Sequence, residues 1–339
     1  MAEQDCVTCG MGPFQGKGDS LKVLLIGVGR FVRILAEELT QRGAVASHVD
    51  SIDWRHMGPI RRLRMLRSHD LVHFYWGRRV RVEEVLACRL TGTRVIYTFV
   101  GSDVLRLQSG AGWKRVRARL ALRRADCVTA VAPWLSDELK ALGIDSRVMP
   151  FAFVRKPAGI APLPERFTVL SYVPIKKESF YGWDLIHRLA LDFPGIAFSI
   201  VGHDGTSLPK LPNVRYHGWV EAFEPLAEQA SVFLRLTRHD GLARTVLESL
   251  ACCRHVLWTY SYPFCRQVKD YDMLRSQLCD LQEHPSLNEA GGRYVWERFS
   301  QDRIMSDCLA LYRSVLDRKA PNKSQNQADE RICRQQNEP

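Results

Sequence analysis

The chain has 339 residues, a net charge of +11, and 46% hydrophobic and 25% charged residues. This composition is typical of a globular protein long enough for two domains, and it excludes a disordered or fibrous chain. No apolar run approaches the roughly 20 residues that cross a bilayer, and the first residues lack the basic-then-apolar order of a secretion signal. We therefore expect a cytoplasmic protein with reduced cysteines and a flexible tail over residues 1–20. The lone pair Cys6 and Cys9 lacks further ligands, so no metal site is expected there.

Residues 21–153 alternate short apolar strands with helix-like stretches. This alternation is typical of a parallel sheet and predicts a first Rossmann-like domain. The predicted strands lie at 22–29, 69–77, 94–99, 126–131 and 147–151.

Two glycines follow the first predicted strand. Gly27 and Gly29 would let the backbone approach a phosphate or an acceptor, but Val32 stands where a dinucleotide-binding motif has its third glycine. Asp50 follows about twenty residues later, as in NAD-binding proteins. An NAD-dependent oxidoreductase therefore remains an alternative.

The positive charge is concentrated in the first half of the chain. Residues 1–150 contain 24 lysines and arginines against 15 aspartates and glutamates, a net charge of +9. The excess lies mainly at 60–67 and 113–124, where Trp113, Val116 and Leu120 share one helical stripe. Such basic amphipathic helices bind anionic membrane surfaces, although a solvated basic face is an equal alternative. No motif for nucleic-acid binding accompanies the arginines.

A second series of strands follows a connector at 154–166. It predicts a second Rossmann-like domain over 167–300, then a C-terminal helix at 301–318 and a disordered tail at 319–339. The predicted strands lie at 167–173, 196–202, 213–219, 231–237 and 255–260.

The segment 235–260 combines a strand, a turn and an amphipathic helix. We expect Asp240 at the N-cap of this helix and Glu248 roughly 12 Å along it. The free N–H groups of a helix N-terminus favour a phosphate. The distance expected between this terminus and Glu248 suits the length of a nucleotide diphosphate sugar. The structural alternative is that Asp240 only caps the helix while Glu248 pairs with Arg244 on a solvated face.

This segment resembles the donor-site signature of retaining glycosyltransferases of family 4, which have the GT-B fold. In that family an acidic residue is followed by a glycine, six further residues and a glutamate. The resemblance implies that Glu248 holds the ribose hydroxyls and that Asp240, with Gly241 and Leu242, borders the sugar and phosphates. Asp240 stands where the family usually has Glu, and Cys253 where a helix-ending Gly is usual.

The resemblance extends to further turns. Gly101, Ser102 and Asp103 follow Val100, which replaces the family's sugar-binding histidine, and Asp103 is either a site carboxylate or an N-cap. Lys176 or Lys177 occupies the place of the family's diphosphate-binding residue. Other donor-side candidates are Arg235, Arg238, Gly202, His203, Gly218 and Trp219, of which Trp219 is equally a candidate core residue.

The expected fold is therefore α/β of the GT-B type, two Rossmann-like parallel-sheet domains facing a central cleft. The resemblance implies a retaining transferase that needs neither metal nor cofactor and moves a sugar from a nucleotide diphosphate to a glycan or lipid-linked acceptor. This activity belongs to glycan or glycolipid biosynthesis. Three alternatives stay open: a degenerate member that binds nucleotide sugar or a partner, a sugar-nucleotide epimerase, and the NAD-dependent enzyme.

Overall fold

The computed structural model describes residues 20–76 and 80–317, so the predicted tails, apart from Ser20, and the pair Cys6 and Cys9 lie outside the described residues. The chain divides into two compact units, residues 1–149 with 305–339 and residues 150–304. Within the described ranges, no helix is long and apolar enough to span a membrane.

The first unit is built on a parallel sheet of six strands. The order is β2-β1-β3-β4-β5-β6, and the strands are β1 Lys22–Gly27, β2 Val45–Asp50, β3 Leu71–Tyr75, β4 Arg94–Phe99, β5 Cys127–Ala130 and β6 Arg147–Val148. All five predicted strands are confirmed. β1, β3, β4 and β5 are buried because helices cover both faces of such a sheet, whereas the edge strand β6 is exposed. β2 was not predicted, since this edge strand is only partly buried and has no apolar pattern.

Seven helices connect these strands. They are α1 Arg30–Gln41, α2 Ser51–His56, α3 Pro59–Arg67, α4 Val82–Thr91, α5 Ser102–Ser109, α6 Gly112–Leu122 and α7 Pro133–Ala141. α1 illustrates how sequence sets packing, because its apolar residues recur at helical spacing and bury one face against the sheet.

The second unit repeats this architecture. Its parallel sheet has the order β12-β11-β10-β7-β8-β9, with β7 Thr168–Tyr172, β8 Ala197–Val201, β9 Val214–Gly218, β10 Val232–Arg235, β11 His255–Trp258 and β12 Arg266–Gln267. Its predicted strands are also confirmed, and β12 is a two-residue edge strand too short to be recognised in the sequence.

The helices of the second unit begin after a 3-10 turn at Ser179–Tyr181. They are α8 Trp183–Asp192, α9 Glu224–Glu228, α10 Arg244–Ala251, α11 Tyr271–Glu283 and α12 Glu289–Arg298. A buried core of Val169, Ile186, Val232, Leu257 and Leu274 joins sheet and helices.

A last helix, α13 Gln301–Leu316, ends the described chain. From Met305 onward it groups with the first unit. There the Tyr312 hydroxyl lies 2.9 Å from Nδ1 of His73 on β3, and both side chains are fully buried. Burial lowers the pKa of His73 to about 3, so this hydrogen bond joins neutral partners at physiological pH.

Candidate functional site

The carboxyl ends of β10, β7 and β8 bring most of the predicted donor-side residues together. These strands are neighbours in the sheet, and ligands of open α/β sheets bind at this edge. The loops after β7 and β10 are bonded to each other, since the Arg238 amide donates to the Phe180 carbonyl at 3.0 Å and the Arg238 guanidinium donates to the Ser179 hydroxyl at 2.7 Å. The two loops therefore form one surface.

A buried ion pair orders the loop after β10. The Arg235 guanidinium donates to both carboxylate oxygens of Asp240, at 2.7 and 3.0 Å, and their side chains are 8% and 11% exposed. Rings of Tyr172 and Tyr181 lie under the guanidinium, with centroids 5.6 and 4.9 Å from its carbon. Burial lowers the pKa of Arg235, but the charge and hydrogen bonds of Asp240 raise it more, so the guanidinium stays charged.

Asp240 is not the N-cap that the sequence predicted. α10 begins at Arg244, its N-cap is Ala243, and no side chain caps it. The Asp240 carboxylate instead binds Arg235 and accepts from the Gly241 amide at 3.1 Å. The buried guanidinium outcompetes the helix terminus, because a charged bidentate partner binds a carboxylate more strongly than one amide does. The 12 Å estimate is also wrong, since Glu248 is the fifth residue of α10 and lies only roughly 6 Å along it.

Glu248 is a buried carboxyl with one close cation. It is 5% exposed and accepts a 2.6 Å hydrogen bond from the Arg244 Nε. The pairing with Arg244, which belonged to the structural alternative, is present, but the face is not solvated at Glu248. Burial raises the pKa of Glu248 to about 7, Arg244 opposes this rise, and Glu224 at the start of α9 adds to it. Near neutral pH, Glu248 can therefore exchange a proton or accept hydrogen bonds from a ligand's hydroxyls.

Three exposed cations lie on the joined loops. Lys176, Lys177 and Arg238 are exposed, and within the described ranges none of them forms an ion pair. Lys176 has a left-handed backbone with φ of 66°, and its amide donates to the Glu178 carboxylate at 2.8 Å. A non-glycine residue in this region is uncommon and costs conformational energy. The geometry leaves these side chains available to an anion.

The turn after β8 holds Gly202 and His203. A side chain at Gly202 would come within 2.9 Å of the Tyr172 ring, and its φ of 90° favours glycine. His203 is fully buried, accepts from the Gly205 amide at Nδ1 (2.9 Å) and lies 3.1 Å from the Glu178 carboxylate through Nε2. Both ring nitrogens are therefore engaged, and His203 orients Glu178.

Gly218 and Trp219 end β9. Gly218 has φ of 64°, and Trp219 is 79% exposed. Of the two interpretations of Trp219 from the sequence, the core residue is therefore wrong. An exposed indole beside a glycine turn is a surface on which a planar group can stack. Gly241 is buried and Leu242 half-buried in the loop before α10.

In the first unit, Gly27 is the last residue of β1 and Gly29 lies just before α1. A side chain on Gly27 would approach Val32 to 2.9 Å and the Tyr75 carbonyl to 3.0 Å, while Gly29 is the N-cap of α1 with φ of 93°. Both glycines are thus required by the turn itself. Asp50 accepts from the Ile52 amide at 2.7 Å and caps α2, so its carboxylate already has a structural partner.

Asp103 is neither an N-cap nor an open site carboxylate. The N-cap of α5 is Gly101, with φ of 135°, and Ser102 is the exposed first residue of the helix. Asp103 is 2% exposed and accepts from the amides of Val100, Gly101 and Val104 at 2.9 to 3.2 Å. A carboxylate that accepts from this many backbone amides fixes the turn before α5, as a capping side chain does.

Comparisons with solved structures decide the fold. HepE from Anabaena, solved in complex with UDP and glucose, superposes with a TM-score of 0.64 at 14% identity and covers 86% of this chain and 100% of its own. Sucrose-phosphate synthase from Thermosynechococcus elongatus superposes with a TM-score of 0.66 at 13% identity and covers 87% of this chain and 99% of its own. Both are GT-B glycosyltransferases. The chain has the GT-B fold.

The chain is also similar in structure to a protein whose name gives a different activity. A putative UDP-N-acetylglucosamine 2-epimerase from Listeria monocytogenes has a TM-score of 0.54 at 12% identity and covers 90% of this chain and 99% of its own. No protein-family model matches the chain, and no curated protein matches it. Membership of glycosyltransferase family 4 therefore stays a prediction.

Several residues that surround the predicted donor-side residues were missed by sequence reasoning. Glu224, which raises the pKa of Glu248, lies in another helix, and the Tyr260 hydroxyl accepts from the Asp240 amide at 3.1 Å. Tyr172 and Tyr181 form the aromatic support of Arg235. No local pattern marks these residues, because the contacts arise only when distant strands align. The described residues contain no group of three or more His, Cys, Asp or Glu that could hold a metal.

Proposed function

We propose that this chain is a retaining glycosyltransferase that moves a sugar from a nucleotide diphosphate to an acceptor hydroxyl in glycan or glycolipid biosynthesis. The GT-B fold and the complex of HepE with UDP and glucose support this proposal. The observation that carries it is the combination, at one sheet edge, of buried Glu248 with three exposed cations, Lys176, Lys177 and Arg238. Within the described ranges, none of these three cations has an ion-pair partner. A hydrogen-bond acceptor and several cations are what a ribosyl diphosphate requires.

The proposed donor contacts follow from this arrangement. Glu248, as a carboxylate, accepts hydrogen bonds from the ribose hydroxyls. The diphosphate binds the first amides of α10, which no side chain caps, together with Lys176, Lys177 or Arg238. Trp219 offers its exposed ring to the base.

Asp240 has a positioning role in this proposal. Because both of its oxygens bind Arg235, it holds the loop that presents Gly241 and Leu242 to the donor sugar. We propose that Gly202, His203 and Gly218 likewise shape the donor surface through the turns they occupy. Gly27, Gly29, Gly101 and Ser102 form the turns of the acceptor side.

Charge stabilisation in the reaction would come from protein groups. As the glycosidic bond breaks, negative charge grows on the leaving diphosphate, and preorganised ammonium and amide groups lower the barrier. We therefore propose that transfer needs no metal. Retention through front-side attack needs no protein nucleophile.

The test is transfer itself, measured by incubating the protein with UDP-, GDP-, ADP- and dTDP-sugars and a mixture of sugar-alcohol and lipid-linked acceptors. We expect one donor to yield a product with the anomeric configuration of that donor, identified by NMR, with unchanged rate in EDTA. Lys176→Ala together with Lys177→Ala should reduce the rate at least tenfold, whereas the exposed control Lys210→Ala should not. Equal loss in both variants, or no product with any donor, would contradict the proposal.

An epimerase is the second candidate, because the Listeria protein shares the fold over 90% of this chain. It predicts release of nucleotide or an epimeric sugar from the donor alone, without acceptor. The transferase predicts that nucleotide release depends on the acceptor. A degenerate binding protein, suggested by Val100, predicts donor binding without either product.

We further propose that the first unit meets an anionic membrane surface through α3 and α6. Trp113, Val116 and Leu120 on α6 are 61%, 58% and 42% exposed, and arginines flank them. Exposed apolar residues among cations suit an interfacial helix. Sedimentation with anionic liposomes should decrease when Arg119, Arg123 and Arg124 are changed to Gln. Undiminished sedimentation would refute this docking mode.

A further inference from the structure

A groove of about 1,110 Å³ lies in the first unit between α3, α4, α5 and α6. We call it the α3–α6 groove. Its volume reaches the upper end of the range of small-molecule pockets, roughly 300–1,000 Å³. None of the glycine turns assigned to the acceptor side lines it. Asp103, which fixes the turn at Gly101, does line it, so the groove adjoins that turn.

The walls of this groove carry large apolar side chains that remain exposed. Leu90 is 85% exposed, Trp113 61%, Leu86 46% and Leu63 39%. Contiguous exposed apolar surface is uncommon on soluble domains and marks a binding surface. These residues are arranged along a concave surface, so a narrow apolar chain can contact several of them at once.

The rim of the groove is cationic. Six cations line it, namely Arg62, Arg81, Arg106, Lys114, Arg115 and Arg117. Only Arg117 has an acidic partner in an ion pair within the described ranges, namely Glu83. The Lys114 ammonium lies 5.4 Å from the ring of Trp113, which places a cation directly beside the apolar wall.

The acidic residues of the lining do not cancel this charge. Glu83 is paired with Arg117, and Asp103 is saturated by backbone amides. Glu84 accepts from the Trp54 indole at 3.1 Å, and burial raises its pKa to about 7. The lining of the groove thus combines exposed apolar side chains with six cations against three acidic residues.

We propose that the α3–α6 groove binds the hydrocarbon chain of a single anionic lipid, whose phosphate meets the rim cations. A sugar acceptor without a lipid would not use the leucine wall, and a neutral lipid would not use the rim. The proposal goes beyond surface docking, because it predicts stoichiometric binding of one lipid molecule in the absence of a bilayer. It does not rest on glycosyl transfer, since binding is measured without donor.

The test is isothermal titration of the full chain with octyl, decyl and dodecyl phosphate, each below its critical micelle concentration. Burial of each further methylene should increase affinity about fourfold, with one ligand bound per chain. Inorganic phosphate should not bind measurably, and dodecyl maltoside should bind at least tenfold more weakly than dodecyl phosphate. Affinity that does not depend on chain length would overturn the proposal.

Matched variants locate the ligand. Ala87 is a half-buried lining residue, so Ala87→Trp should fill the groove and abolish binding, whereas Leu191→Trp, at an exposed leucine outside the lining, should retain it. Leu86→Gln changes an exposed wall residue without a cost to folding and should weaken binding at least tenfold. Thermal unfolding checks that each variant folds.

Charge variants test the rim in the same way. Lys114→Glu with Arg115→Glu should weaken dodecyl phosphate binding at least tenfold. Arg155→Glu with Lys156→Glu makes the same charge change on exposed residues outside the lining and should have less than a threefold effect. Equal loss in both pairs would show a diffuse electrostatic effect and would refute a built site.

Discussion

Glu248 makes donor binding depend on pH. Its pKa is raised to about 7, chiefly by burial, and the proposed ribose contacts need the carboxylate form because hydroxyls donate to it. With a pKa near 7, about one molecule in eleven is ionised at pH 6 and about ten in eleven at pH 8. The affinity for a nucleotide sugar should therefore increase about tenfold between these pH values.

The assay is titration calorimetry with the best-binding nucleotide sugar at pH 6, 7 and 8. A sugar diphosphate diester is used because it has no group that titrates in this interval, unlike a free nucleoside diphosphate. Glu248→Gln should lose the pH dependence. It should also bind about ten- to a hundredfold more weakly at pH 8, since a hydrogen bond to a charged group contributes about 1.5–3 kcal/mol.

Two neighbouring substitutions should shift the profile in opposite directions. Glu224 raises the pKa of Glu248 and Arg244 lowers it. Glu224→Gln should therefore move the midpoint of binding below 7, and Arg244→Gln should move it above 7. A flat pH profile in the wild type, or a profile that Glu248→Gln leaves unchanged, would refute the reasoning.

Three further predictions concern other parts of the molecule. Asp240→Ala should destabilise the second unit by about 3–5 kcal/mol in urea unfolding, because it leaves buried Arg235 unpaired; a loss below 1 kcal/mol would contradict the buried pair. Trp219→Ala should change stability by less than about 0.5 kcal/mol, since the ring is 79% exposed, yet weaken donor binding at least threefold, and unchanged affinity would remove Trp219 from the site. Burial raises the pKa of Glu84 to about 7, so its contribution to stability is present below about pH 4.5 and is lost as the pH rises through 7. Glu84→Gln, whose amide oxygen can still accept from the Trp54 indole, should therefore unfold at a higher temperature than the wild type at pH 8. At pH 5 the two unfolding temperatures, measured by calorimetry, should be equal.

The two sheets could be predicted from the sequence because buried parallel strands are continuous apolar runs. The edge strand β2 was missed because its residues face solvent on one side and carry no such run. The start of α10 was misplaced for a different reason. A capping residue is recognised from its neighbours in sequence, but Asp240 is held by Arg235 on the preceding strand, five residues earlier, and this competing partner decides its position.

The site was partly predictable, because contacts between residues close in sequence follow from their spacing. Glu248 and Arg244 are one helical turn apart, so their pairing follows from spacing alone. The burial of Glu248 and the contribution of Glu224 depend on the packing of α9 against α10, which no local pattern encodes. Cys253 shows a further limit, because it replaces the expected glycine yet adopts a left-handed φ of 56°. Its side chain is fully buried, and this packing holds a conformation that its type disfavours.

The most direct test of the central claim is equilibrium binding of UDP, GDP, ADP, dTDP and NAD to the wild type, Glu248→Gln and the exposed control Glu221→Gln. We predict one-to-one binding of at least one nucleoside diphosphate, stabilising the fold by about 2.7 kcal/mol at 100 times its dissociation constant. This binding should be weakened about ten- to a hundredfold in Glu248→Gln and kept in Glu221→Gln. Binding of NAD alone, or nucleoside diphosphate affinity that is equal in all three proteins, would contradict a donor site at this edge of the second sheet.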